Sequence, residues 1–368
     1  MKRRSRERRV RRLLVTSLVL TSSCSTKPPP DFAPDPGLVA RIREIQISTT
    51  RQACPGQTFA AYYTAILDDG SRIPFESRYD EDRPPRLHVV FLDRSSPDAE
   101  PLKDGGWRAE EDPVRTVRTG FRLTAVLRAN PAVQASATLA PEYTCQRHVL
   151  RFEGSSGYEG RPGGDGPDVT VRLAMLRSPF YERLLVAGVE VGRAPPFYVL
   201  ADANTAPPRD WLIVRAAGGG GATGVEGERG QAGPAGQPGC PGSDGAPGGP
   251  GGRGGAGGAG GRGGRMTIIA PSEEPFMAGL VAAESPGGPG GKGGKGGPGG
   301  KGGAGGGGTT QEGRRCGDGR AGQAGERGLA GSDGSEGPDG PRPRTITVPM
   351  REVLGPNLPP ELAALLGR

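Results

Sequence analysis

Few side chains in this sequence have types and spacings that do chemistry. His88 and His148 each lie within or beside an apolar alternating segment, and they form no pair with metal-ligand spacing. No serine or cysteine sits in a nucleophile motif, and the strings of GxGxxG type are products of glycine-rich composition, lacking a strand–turn–helix setting. Asp80-Glu81-Asp82 is a dense acidic cluster, better read as a solvated loop than as a Ca²⁺ site. The chain is therefore expected to be no enzyme and to need no metal or cofactor. Two patterns remain. Cys54, Cys145, Cys240 and Cys316 are candidates for disulfides. Arg253, Arg262, Arg265, Lys292, Lys295 and Lys301 recur at multiples of three in two glycine runs that hold no acidic residue, and read as a stripe on one face. Such a stripe would attract a polyanion: acidic surface polysaccharide, lipopolysaccharide or nucleic acid. Solubility alone explains the same pattern and is the preferred reading.

Charge gives no further hint of a partner. Residues 1–23 hold eight of the 47 basic side chains and one of the 40 acidic ones. Without them 39 of each remain, so the net charge of +7 is no argument for nucleic-acid binding.

What must position these residues is set by glycine. With 67 Gly and 38 Pro, over a quarter of the 368 residues, the composition is either disordered or periodic. It is periodic. Glycine falls on every third position from Gly221 to Gly263, again from Gly287 to Gly308 and from Gly319 to Gly340, with a short echo from Gly154 to Gly166. A period of three fits neither an α-helix nor a strand. It fits the polyproline II helix, with three residues per turn and no internal hydrogen bonds, in which each run would carry one bare face.

Taken in order, residues 1–24 read as an export signal: an Arg-rich start, an apolar run Leu13–Leu20 too short to span a bilayer, and Thr21-Ser22-Ser23-Cys24. Small residues before a cysteine resemble the lipobox of bacterial lipoproteins. The resemblance implies lipidation at Cys24 and anchoring to the outer membrane or cell surface. Residues 25–37 read as a tether. From 38 to 152 apolar residues alternate, as in Phe59, Ala61, Tyr63, Ala65 and in Phe121, Leu123, Ala125, Leu127, with turns at Pro55-Gly56 and Asp68-Asp69-Gly70 between them. Short alternating strands at this spacing argue for a β-sandwich. Cys54-Pro55-Gly56-Gln57 followed by Phe59 to Gly70 resembles bacterial immunoglobulin-like surface domains. Export permits a Cys54–Cys145 disulfide near the two ends of this region.

Residues 153–217 hold the short glycine run and strand candidates at 169–175, 184–191, 197–200 and 211–214. Residues 218–342 hold the long runs, and 343–368 a strand and a short helix from Pro360 to Leu366. Met266–Ile269, Leu280–Ala283 and Thr345–Val348 each abut a glycine run. The expected fold is thus mostly β: an immunoglobulin-like sandwich, then a β base carrying an antiparallel bundle of glycine-rich polyproline II helices. Such a bundle resembles those of snow-flea-type antifreeze proteins and phage tail-tip adhesins. A collagen-like surface lipoprotein, trimerising through its Gly-X-Y repeats, is the competing architecture. Two features favour the single-chain bundle. Glycine density runs single, double, double, single along segments 221–247, 248–265, 287–308 and 319–340, as four legs side by side in sequence order require. Turn formers around Gly239–Gly245 and a phase break at Gln311–Gly317 let each arm double back, which puts Cys240 and Cys316 at the tips. They would pair there within a monomer, or between chains in a trimer.

Overall fold

The computed structural model describes residues 28–366; the signal segment, Cys24 and the first residues of the tether lie outside them. The chain is mostly β and divides into two compact units. The first takes residues up to Thr50, with Phe59–Arg108 and Leu123–Ala137. The second takes Arg51–Thr58, Ala109–Arg122 and everything from Thr138 onward.

In the first unit β1 (Ile42–Thr49), β2 (Ala61–Leu67) and β3 (Arg72–Phe75) form an antiparallel sheet in the order given. Alternation decides the faces: Ala61, Tyr63, Ala65 and Leu67 are buried while Tyr62 points out. Trp107 is fully buried and donates its indole N–H to the Tyr63 hydroxyl at 2.7 Å; that hydroxyl donates in turn to the Gly105 carbonyl at 3.2 Å. The Arg94 guanidinium lies over both rings. Tyr63→Phe strands a buried indole N–H and is expected to cost about 1–3 kcal/mol, measured by denaturant unfolding; an unchanged midpoint would show that water reaches the indole.

The second unit rests on two stacked sheets. One is three-stranded and wholly parallel: β4 (Val149–Glu153), β5 (Leu212–Ala217) and β6 (Val281–Glu284). The other runs Phe197–Asp202, Leu184–Val191, Val169–Leu176, Met266–Pro271, Arg344–Val348, antiparallel between its first members and parallel across its last three. Leu184–Val191 is apolar almost throughout because both its faces are covered. Leu185, Ala187 and Val189 join Leu212, Val214, Ala216, Met266 and Ile268 between the sheets. Leu184 and Val186 face the other way, toward Val353, Leu354, Leu362 and Leu365 of the two terminal helical segments. The expected helix at Pro360–Leu366 is present, as are the strands expected beside the glycine runs.

Parallel neighbours need crossover connections. Here glycine-rich legs supply them in place of helices. β4, β5 and β6 run on into leg 1 (154–158), leg 3 (218–239) and leg 5 (285–308). Leg 2 (161–167), leg 4 (242–265) and leg 6 (317–342) run back into Val169–Leu176, Met266–Pro271 and Arg344–Val348. The three-stranded sheet, and the last three strands of the other, are parallel because the legs attached to each set all travel the same way.

Candidate binding surface: the glycine-rich legs

The legs contain almost no regular helix or strand, yet their backbone groups are systematically paired. Leg 4 donates to leg 3 in antiparallel register, as in Gly252 to Glu228 (2.7 Å) and Gly255 to Val225 (2.8 Å). Leg 5 donates to leg 4 (Gly297 to Gly252, 2.9 Å) and leg 6 to leg 5 (Gly325 to Gly300, 2.8 Å), again antiparallel. Alternate legs are also bonded, in parallel: leg 3 to leg 5 (Gly227 to Lys295, 2.9 Å) and leg 4 to leg 6 (Gly251 to Glu326, 2.9 Å). Every series repeats once per triplet.

This corrects the expectation of four legs in one row. Legs 1, 3 and 5 form one parallel layer, legs 2, 4 and 6 another, antiparallel to it. The density of glycine has the expected cause, close neighbours, but the neighbours number more than two. In leg 4, Gly251 is bare toward leg 5 and donates to leg 6, while the adjacent Gly252 is bare toward leg 3. In leg 5, a Cβ on Gly296 would strike the Gly328 carbonyl, and one on Gly297 the Glu228 carbonyl. Leg 6 has no further leg beyond it, and side chains stand where its second glycine would be. Three of them cover leg 5's unused groups: Asp333 and Asp339 accept from Gly293 and Gly287 N–H (2.7 and 3.0 Å), and Arg327 Nε donates to the Gly296 carbonyl (3.1 Å).

The tips meet. Cys240 is bonded to Cys316, with Cα atoms 5.1 Å apart, where leg 3 turns into leg 4 and leg 5 into leg 6. The second turn is a minimal hairpin, Thr310–Gln311 against Arg314–Arg315, with Glu312 and Gly313 at φ 49° and 72°. Cys54 is bonded to Cys145, Cα atoms 6.2 Å apart.

The six basic residues are all exposed and enter no ion pair among the described residues. They do not lie in one stripe. Arg253, Arg262 and Arg265 stand on leg 4, Lys292, Lys295 and Lys301 on leg 5, and those legs belong to opposite layers. A spacing of three fixes the face of one leg; it does not carry over to a leg in the other layer. Two rows result, one on each outer face.

The histidines are structural. His88 is buried and its Nδ1 accepts from Val90 N–H at 3.1 Å; His148 packs on the Trp211 ring. Burial holds both imidazoles below their ordinary pKa. Asp80-Glu81-Asp82 is a turn in which Asp80 accepts from Asp82 N–H. Among the described residues no cluster of three His, Cys, Asp or Glu converges as a metal site, and no helix is long and apolar enough to cross a membrane. A shallow cleft of about 400 Å³ opens at the foot of the legs, lined by Arg215, Glu284, Asp339 and Arg342 among others. No protein-family model matches this chain, and no curated protein is similar to it.

Proposed function

We propose that this chain is an exported, lipid-anchored cell-surface protein with a structural or adhesive role, and that its glycine-rich legs are polyproline II helices bundled within a single molecule. The observation that carries the reading is the once-per-triplet series of lateral hydrogen bonds made between legs of one chain. A polyproline II helix has no bonds of its own to offer, so it becomes rigid only when its outward N–H and C=O groups find neighbours. With legs of some twenty residues rising ~3.1 Å each, the bundle would be about 60–75 Å long. Rigidity in legs without an apolar core, two disulfides and, among the described residues, no convergent metal-type cluster suit a scaffold or adhesin better than an enzyme. The antiparallel strands of the first unit suit the immunoglobulin-like domain that the sequence resembles, and Cys24 is the proposed lipid attachment point.

Solution mass together with amide exchange tests this. A monomer whose Gly251, Gly297 and Gly325 amides are protected supports it; a trimer that melts as collagen does would replace it with the stalk architecture. The two basic rows extend the reading to acidic polysaccharide. Serine at all six positions should abolish retention on an acidic glycan column at low salt; unchanged retention removes the polyanion from the proposal and leaves the scaffold.

A further inference from the structure

We infer that legs 3 and 4 hold a slot for an extended glycine-rich strand from another molecule, continuous with the place occupied by leg 2. The inference rests on the polyproline II reading above. Leg 2 covers only the foot of the flank made by legs 3 and 4. There Gly219 and Ala222 donate to the Gly164 and Arg161 carbonyls (2.8 and 3.1 Å), and Gly163 and Gly166 donate to the Ala259 and Arg262 carbonyls (2.9 and 2.7 Å). Gly258 and Gly261 of leg 4 are buried, and a Cβ on either would strike a leg 2 carbonyl.

Leg 2 begins only after the turn at Glu159-Gly160, where Gly160 lies beside the Ala256 carbonyl, and farther out no backbone group among the described residues pairs with the same flank. Yet the pattern continues. Leg 4 keeps its second glycine at 249, 252 and 255, now half-buried, where the nearest atoms to an added Cβ belong to Gln231, Glu228 and Val225 of leg 3, their backbone nitrogens at 3.3, 2.9 and 3.1 Å and their carbonyl oxygens at 3.5, 3.3 and 3.4 Å. Those three N–H groups are the next members of the series Gly219, Ala222, and they have no hydrogen-bond acceptor among the described residues. The Arg253 and Ala256 carbonyls likewise extend the series Ala259, Arg262 and accept no hydrogen bond from the described residues. Pro234, without an N–H, closes the row.

An unpaired row of donors and acceptors in step with a bare stripe is the polyproline II counterpart of an open sheet edge. Its register is already set by leg 2. The occupant it fits is a strand with glycine at every third residue, antiparallel to leg 3 and parallel to leg 4. A second copy of this chain fits less well, because its legs are bonded to one another and none is free to enter.

The test adds a short synthetic peptide of repeated Gly-Gly-Ser triplets to the full chain and follows amide exchange. Saturable protection of Val225, Glu228 and Gln231 is expected in the native chain. In Gly249→Ala/Gly255→Ala it should weaken at least tenfold, while Gly300 and Gly303 stay protected and so report an intact bundle. No added protection in the native chain, or equal protection in the variant, overturns the slot. Leg amides unprotected without peptide would instead sink the polyproline II reading. A doubled solution mass without peptide would assign the slot to a second copy and overturn the chosen occupant.

Discussion

One methyl group at Gly300 is expected to destabilise the second unit by ~3 kcal/mol or more, while the same methyl at Gly307 changes little. Gly300 sits in the middle of leg 5. A Cβ there would overlap the Gln231 carbonyl of leg 3, which is backbone and cannot swing aside. Relief requires leg 5 to move away, yet Gly300 donates to Gly249 and accepts from Gly325 at 2.9 and 2.8 Å, so movement strains bonds to legs 4 and 6 together. Each lateral bond is worth ~0.5–1.5 kcal/mol, and a displaced leg loses more than one. Gly307 has no atom within 4 Å of an added Cβ. Alanine there only restricts the unfolded chain, a gain of ~0.4–1 kcal/mol at most. By calorimetry Gly300→Ala should lower the midpoint by roughly 6–12 °C and Gly307→Ala should leave it within a few degrees. Equal midpoints for the two would mean that the legs do not pack backbone to backbone.

That contrast marks how far the sequence was legible. A strict period of three shows that Gly300 must face something, and a doubled glycine shows that it shares this need with Gly299. The turn formers and phase break place Cys240 and Cys316 at tips, where they are found bonded. What one leg's spacing cannot say is which other leg each face meets. Contacts between alternate legs, such as Gly227 to Lys295, depend on how all the legs stack, so the second layer was illegible and six basic residues read as one stripe. Val149–Glu153 is hard to read as a strand because it lies at a sheet edge with exposed and half-buried residues alternating and none buried, although it sets the register of leg 1. Nothing in the spacing of Asp333 and Asp339 marks them as partners of leg 5; that they receive Gly293 and Gly287 N–H is visible only in the folded chain. The run Gly218–Gly221 is a legible clue of the same kind: leg 3 carries extra glycine only at its foot, where a Cβ on Gly219 would strike the Ser155 carbonyl of leg 1.

Removing the two disulfides should separate local from global stability. Their loops, 91 residues for Cys54–Cys145 and 76 for Cys240–Cys316, predict nearly equal losses of ~4–5 kcal/mol in the chain-entropy view. The structure predicts unequal behaviour. Cys145 follows Tyr143, which is buried with Val114, Val117 and Leu200, so release of this segment opens an apolar cluster, and Cys54→Ser/Cys145→Ser should lower the midpoint of the whole unit. Around Cys240 and Cys316 no apolar cluster exists; order is held by single bonds per triplet, such as Gly239 to Gly307 at 3.2 Å and Thr309 to Gly239 at 2.8 Å. Such a bundle can unzip from its tips while the base stays folded. Cys240→Ser/Cys316→Ser should therefore speed exchange at Gly239, Gly306 and Cys316 at least tenfold and leave Gly218, Gly261 and Val214 near their native rates. Simultaneous loss of protection at tip and foot would show that the legs and the base form one cooperative block, in which a lateral bond near the tip is as strong as the core beneath it.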